Sequence, residues 1–353
     1  MSQPKFFTII LPIYNTREEW LKRALDSIEQ QECKEDIEVV IINDAGSKDY
    51  KEILKNYTFD MIVIDNKENI GQGLSRQVGI DNSTGKWITF LDHDDEFNPT
   101  CFKPIKEDII KSECIFVYST QSLIANNYEF ANKKEFVVED SSSVLHGHFY
   151  NRDMLNKYEI RFSSKIRAHE DTYFLNCVDG HIIRDEKNFD EQKTKVASPI
   201  VSYFWYLWDN SQSHSYTANN YSYLEETIKE YLIAVWDSYK HVSTKYEYNA
   251  EFTYFKLCGT LMVLYWFEQS FKYINPTSWK KENEIYIKDF CEKVMDELNM
   301  SSPLELTNIL LDLPELFISS FTGILSNVDG AFVARETIEQ FYWNILDYHN
   351  ESN

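Results

Sequence analysis

Asp92, His93, Asp94 and Asp95 follow the apolar run Trp87 to Leu91, and Asp92 and Asp94 flank a single residue. Extended backbone alternates its side chains with a period of two, so this spacing predicts that both carboxylates point the same way. Hard divalent cations such as Mn2+ and Mg2+ take oxygen ligands, commonly one or two carboxylates with substrate phosphates completing the shell. The chemistry on offer is neutralisation of a phosphorylated substrate, and the bland alternative is a solvated acidic turn. A second acidic pair, Glu170-Asp171, stands at the start of a helix expected from His169 to Val178. On position alone a carboxylate there complements the helix dipole. Polar residues also close two other apolar runs, Tyr14-Asn15 after Phe6 to Ile13 and Asn43-Asp44 after Ile37 to Ile42.

These residues need a frame that brings strand ends together. The first 120 residues alternate β-rich apolar runs with helix-patterned stretches, the pattern of a parallel sheet with crossover helices. Strands are expected at Phe6 to Ile13, Ile37 to Ile42, Met61 to Ile64, Trp87 to Leu91 and Cys114 to Ser119. Helices are expected around Arg17 to Gln30, around Tyr50 to Tyr57, and from Gly71-Gln72-Gly73 onward. Ligands of open α/β sheets sit at the carboxyl ends of strands, so the polar clusters are predicted to converge on one crevice. Regularity resumes at Gly147 to Tyr150, and the apolar run Ile200 to Trp208 leads into the polar loop Asp209 to His214. After about residue 220 only helical patterning remains: Leu224, Ile228, Tyr231, Leu232 and Val235 share one face.

Composition narrows the function classes. With 57 acidic and 35 basic residues the net charge is -22, which disfavours nucleic acid and anionic lipid as partners. The run Leu261 to Phe267 falls far short of the roughly 20 apolar residues that cross a bilayer, so no transmembrane segment is expected. The start of the chain lacks a signal-peptide pattern, and Cys33, Cys101, Cys114, Cys177, Cys258 and Cys291 are scattered singly, so a cytoplasmic, reduced protein is expected. Gly71-Gln72-Gly73 reaches Arg76 where a dinucleotide fingerprint requires a third glycine. His146-Gly147-His148 has no third partner nearby and reads as structural or exposed.

The stretch from residue 6 to 95 resembles the nucleotide-binding half of family 2 glycosyltransferases with the GT-A fold. The matching segments are Ile10-Leu11-Pro12-Ile13-Tyr14-Asn15, Val40 to Ser47, Asn69-Ile70-Gly71, Ser75 to Ile80, Thr84 to Ile88 and Phe90 to Asp95. The resemblance implies an α/β chain with a Rossmann-like mixed sheet flanked by helices. It also implies metal-dependent, inverting transfer of one sugar from a UDP-sugar to an acceptor hydroxyl on a glycan or glycoprotein. By that resemblance Pro12, Tyr14, Asn15, Asp44, Asn69, Gly71, Arg76, Asp92 and His93 belong to the donor site. Tyr14 would line the base pocket, Asp44 would bond the uracil, Arg76 would lie near the base or diphosphate, and Asp92 would approach the ribose. Asp94 would ligate Mn2+ or Mg2+, and Asp171 would be the general base, with Glu170, Gly147 and Arg152 near the sugar or acceptor.

The segment Asn210 to Ser215 is similar to the Ser-x-Ser segment that closes the family's catalytic region, although the family's upstream arginine is missing. His214 in it is a candidate metal ligand or diphosphate contact, set against a loop histidine without a role. The Gln-x-x-Arg-Trp signature of processive synthases is absent, which favours single-sugar transfer. The expected organisation is a catalytic domain over residues 1–215 and a helical module over residues 216–353. The module would present the acceptor, assemble homo-oligomers or serve as a scaffold. A catalytically silent nucleotide- or sugar-binding module and a sugar nucleotidyltransferase are the alternatives of other classes.

Overall fold

Seven consecutive buried residues, Phe7–Ile13, form the central strand β1. Such a run shows no polar alternation because the strand is covered on both faces. β1 pairs in parallel with β2 (Ile37–Asn43), from Phe7 opposite Ile37 to Ile13 opposite Asn43. On its other side it pairs in parallel with β4 (Trp87–Phe90), and β2 pairs in parallel with the edge strand β3 (Asp60–Asp65). The computed structural model describes residues 4–126, 137–140, 145–184, 191–207, 221–245, 281–297 and 299. The chain divides into two compact units, Met1–His214 and Ser215–Asn353.

Crossover helices connect the parallel strands. Helix α1 (Glu18–Glu29) buries Leu21, Ala24, Leu25 and Ile28, the three- and four-residue spacing of one helical face. A short α2 (Lys51–Leu54) precedes β3, and α3 (Gln72–Asp81) lies against β1 and β2. Gly79 makes that close approach possible, since a Cβ there would stand 2.5 Å from Cγ2 of Ile10. Pro12 is tolerated within β1 because the last bond to β4 on that edge is Leu91 N–H to the Ile10 carbonyl. The missing N–H falls where the ladder has already ended. At the opposite end of the sheet the buried Glu38 carboxylate accepts bonds from Thr8, Thr84 and Gly85, fastening the turn that enters β4.

Beyond β4 the chain runs through β5 (Glu96–Phe97), α4 (Phe102–Ser112), β6 (Val117–Asn126), β7 (Val137–Asp140), β8 (His148–Asn151), α5 (Arg152–Lys157), α6 (Glu170–Arg184), α7 (Glu191–Thr194) and β9 (Lys195–Leu207). The sheet order is β3-β2-β1-β4-β8-β6-β9-β5, with β7 paired to β6. The expected parallel sheet therefore holds from β3 to β4 and reverses at β8, which is antiparallel to both β4 and β6. The strand expected at Cys114 to Ser119 begins at Val117 and continues to Asn126, because Glu113 takes a left-handed conformation (φ 53) to end α4 and Cys114 lies in the connection. The helix expected from His169 begins at Glu170 and runs on to Arg184.

The second unit is helical in its described residues, as the periodicity predicts. In α8 (Tyr221–Ser243) Ile228, Leu232, Val235, Tyr239 and Val242 are buried, and in α9 (Lys281–Glu297) Ile287, Phe290, Cys291 and Val294 are buried. The two helices meet through the Trp236 and Phe290 rings and a 2.7 Å bond from Tyr239 Oη to Glu297. The apolar run Leu261 to Phe267 lies outside the described residues. Among the described residues no helix is long and apolar enough to cross a membrane.

Candidate active site

The carboxyl ends of β1, β2 and β4 come together, as the polar clusters predicted. The Asp44 amide continues the β1 ladder by donating to the Ile13 carbonyl at 2.9 Å. The Asp44 carboxylate is buried and works first as a clamp: it accepts from Asn66 Nδ2, Ile70 N–H and Gly71 N–H, each at 2.9 Å. A carboxylate has roughly four acceptor positions, so this clamp leaves one for an incoming N–H. Gly71 takes φ 88, a conformation that only glycine adopts without strain, and there it opens α3. Asn69 Oδ1 accepts from Arg167 Nη2 at 2.8 Å, which ties the same loop to the chain preceding α6. Across the crevice Asn15, also left-handed (φ 47), accepts from the Ser47 amide at 2.8 Å, and Tyr14 beside it is 51% exposed. Pro12 is buried inside β1, two residues before Tyr14.

The acidic residues after β4 depart from expectation. The strand ends at Phe90, and Asp95 N–H closes onto the Asp92 carbonyl at 3.1 Å, so Asp92 and Asp94 occupy a turn where strand alternation does not apply. Their surroundings differ accordingly. Asp92 Oδ1 accepts from Arg76 Nη2 at 2.7 Å and from Gln72 Nε2 at 2.9 Å. Burial works against its charge, but the Arg76 guanidinium prevails and holds the carboxyl below the usual range. The Asp94 carboxylate has His93 Nδ1 at 3.9 Å and accepts no hydrogen bond from another described residue. Burial and the neighbouring Asp92 raise its pKa. His93 turns its ring parallel to Trp20, with centroids 6.1 Å apart. Asp95, only 2% exposed, points into the protein and bonds Tyr203 and Tyr206.

Arg76, expected near the base or diphosphate, is engaged by the protein itself. It is 6% exposed in its side chain and bridges two carboxylates, Asp92 and, through Nη1 at 2.9 Å, Glu170 at the start of α6. Glu170 packs against α3 where Gly73 leaves room, since a Cβ on Gly73 would meet Glu170 Cγ at 2.7 Å. Burial, with Asp171 adjacent, pushes Glu170 up to about 7 in spite of Arg76. One guanidinium thus faces Asp92, Glu170 and Asp171. Asp171 is partly exposed in the first turn of α6, and its Oδ1 accepts from the Thr172 amide at 2.7 Å. We expect Arg76→Met to cost about 3–5 kcal/mol of stability, because removing one partner of a buried ion pair strands the others. Urea unfolding of the two proteins measures this, and equal midpoints would refute the bridge.

Two further candidates separate. Gly147 (φ 75) lies at the end of β8 nearest the acidic turn, and its carbonyl accepts from the Thr120 amide and hydroxyl. Arg152 does not join the site. Because β8 is antiparallel to β4, with Asn151 opposite Trp87, Arg152 emerges at the far end of β4, where Nη1 bonds the Ser83 carbonyl at 2.9 Å. The rise from Trp87 to Phe90 alone puts about 10 Å of strand between Arg152 and the acidic turn. His146 is buried and stacks on Tyr203 at 4.6 Å, and burial lowers its pKa to about 4, so it stands neutral beneath the turn. His214 lies outside the described residues. Sequence reasoning missed Arg167, Arg23, Tyr203 and Tyr206, which touch the site from segments without a motif. Arg167 alone carried a signal, being a cation three residues before the Glu-Asp pair.

Residues 8–178 match the family model described as glycosyl transferase family 2. Glycosyltransferase GlyA of Streptococcus pneumoniae serotype 4 is 32% identical over 160 residues, covering 37% of this chain and 23% of that protein. The minor teichoic acid biosynthesis protein GgaB of Bacillus subtilis is 27% identical over 189 residues, covering 49% of this chain and 21% of GgaB. The chain therefore spans less than a quarter of the length of either curated relative. The crystal structure of S. aureus TarS 1-349 in complex with UDP-GlcNAc superimposes with a TM-score of 0.56 at 15% identity, covering 96% of this chain and 92% of that one. At that identity the likeness is one of fold.

Proposed function

Because the chain belongs, through residues 8–178, to glycosyl transferase family 2 and has its GT-A fold, we propose that it transfers a single sugar from a UDP-sugar to an acceptor hydroxyl, with inversion and with a divalent cation. The observation that carries this reading is the nearness of a clamped loop at Asp44, a carboxylate at Asp94 bonded by no other described residue and a helix-initial carboxylate at Asp171.

Among the described residues no group of three or more His, Cys, Asp or Glu gathers as a metal cage, so a single carboxylate sharing Mn2+ or Mg2+ with donor phosphates is the arrangement that would fit. The partly buried Asp94 carboxylate accepts no hydrogen bond from another described residue, and Asp92 lies beside it. Asp94 would hold the ion, with donor phosphates completing its shell. A bound cation supplies electrostatic stabilisation of the charge that develops on the leaving diphosphate. Tyr14 and Asp44 would orient the uracil, and Asp92 would approach the ribose from its place beside Gln72. Asp171 would take the acceptor proton while the acceptor oxygen attacks the anomeric carbon; the bond to the β-phosphate oxygen breaks and its electron pair leaves with UDP. The relative GgaB, named for teichoic acid biosynthesis, supports a cell-wall polymer as the acceptor class. The described cysteines are free thiols, which fits a cytoplasmic enzyme.

The test is release of UDP from a panel of UDP-sugars, with Mn2+ and with EDTA. Metal-dependent UDP release is the expected result. Tight UDP binding without release would favour the silent binding module, and pyrophosphate formation from a sugar phosphate and a nucleoside triphosphate would favour the nucleotidyltransferase.

A further inference from the structure

The acidic turn is held by a strand that lies more than 100 residues away in sequence. Tyr203 of β9 is fully buried, and its hydroxyl donates to Asp95 Oδ2 at 2.7 Å while accepting the Asp92 amide at 3.2 Å. Three residues on, the Tyr206 amide donates to the other Asp95 oxygen at 2.9 Å, and its hydroxyl donates to Glu96 at 2.9 Å. The Tyr206 ring in turn carries the Arg23 guanidinium of α1, 3.9 Å above its centroid, and Arg23 Nη2 bonds the Asp94 carbonyl. Main-chain groups of Asp92 and Asp94, both Asp95 oxygens and the Glu96 carboxylate are thus each fastened by β9 or α1. The Asp94 carboxylate is left without a hydrogen bond from another described residue.

We propose that Tyr203 is a positioning residue for the donor and its metal: with Asp95 as its anchor, it sets the turn so that the Asp94 carboxylate is presented in one fixed place. Asp95, the last residue of the acidic cluster, is on this account an internal tether and not a ligand. The inference rests on the transferase reading and deepens it by assigning metal and donor affinity to groups that touch neither. A buried hydroxyl that both donates and accepts has no replacement when it is removed. In Tyr203→Phe, Asp95 Oδ2 and the Asp92 amide lose their partner together, and the turn must move to find another.

The test compares Tyr203→Phe with Tyr118→Phe, a matched control. Tyr118 is also fully buried and bonds a carboxylate, Asp108 at 2.5 Å, but Asp108 lies on α4, outside the acidic turn. Calorimetric titration of Mn2+ with UDP present, and the donor KM at fixed Mn2+, are measured on wild type and both variants. Tyr203→Phe is expected to weaken Mn2+ binding about tenfold and to raise the donor KM, with kcat at saturation within about threefold, while Tyr118→Phe binds as wild type despite a similar loss of thermal stability. Should Tyr203→Phe fail to fold, Arg23→Met removes the bond to the Asp94 carbonyl from the surface side, and the same direction of change is expected. Wild-type affinity in a folded Tyr203→Phe, or in Arg23→Met where Tyr203→Phe does not fold, or an equal loss in Tyr118→Phe, overturns the proposal. Absence of UDP and Mn2+ binding by the wild type itself overturns the transferase reading, and this inference falls with it.

Discussion

Asp94→Ala is expected to abolish turnover and to weaken UDP binding in the presence of Mn2+ by about 100-fold or more. Even residues that only support a metal ligand cost roughly 10- to 100-fold in metal affinity when replaced, so the ligand itself should cost at least as much. The structure makes the effect specific, because Asp94 binds the rest of the protein through its main-chain carbonyl and leaves its carboxylate without a hydrogen bond from another described residue. Truncating that carboxylate should therefore leave thermal stability near wild type, or above it, since burial and Asp92 already raise its pKa. Loss of binding with stability retained is the signature sought. Calorimetric titration of UDP with and without Mn2+, beside a thermal melt, measures both. If the variant bound UDP with wild-type affinity in Mn2+, Asp94 would not be the ligand and the candidate site would need another carboxylate.

What could be read before the structure followed from local pattern. Phe6 to Ile13 and Ile37 to Ile42 are apolar without alternation, which only a strand covered on both faces allows, and each is closed by residues that prefer turns. The crevice at Tyr14, Asp44 and Asp92 followed from parallel pairing, since parallel strands present their carboxyl ends together. Local pattern could not carry further, because β8 enters antiparallel between β4 and β6. That reversal keeps Gly147 near the site and carries Arg152, five residues on, to the far end of the sheet. No composition cue marks it.

The same limit explains Arg76. In sequence it is a charged residue within a helix of modest polarity; in the fold it is buried between Asp92 and Glu170, the second 94 residues away. Burial of a guanidinium is tolerated only with partners in place, and those partners come from two different elements. Tyr203 is likewise one aromatic in an apolar run until β9 pairs with β5 and brings its hydroxyl to Asp95. The alternation argument for Asp92 and Asp94 failed for a different reason. β4 stops at Phe90, and the turn sets the two carboxylates by its own hydrogen bonds.

Asp171→Asn is expected to lower kcat by about 100-fold or more while leaving UDP affinity within a few-fold, which general base catalysis predicts when the proton acceptor is removed at constant size. The geometry separates Asp171 from its neighbour. Glu170 is buried, bonded to Arg76 and packed on Gly73, so its carboxylate is occupied by the protein. Asp171 is partly exposed, and its carboxylate accepts from the Thr172 amide of its own helix end. Asparagine keeps an oxygen for that amide, so α6 should start as before. Glu170→Gln provides the contrast: it leaves Asp92 as the one ionised group hydrogen-bonded to Arg76 and should disturb Asp92, hence donor binding, more than the chemical step. Transfer rates at saturating donor, with calorimetric titration of UDP in Mn2+ for both variants, distinguish a loss in kcat from a loss in affinity. Near wild-type transfer by Asp171→Asn, together with a collapse of kcat at unchanged UDP affinity in Glu170→Gln, would move the base to Glu170, whose pKa of about 7 would then suit proton transfer near neutral pH.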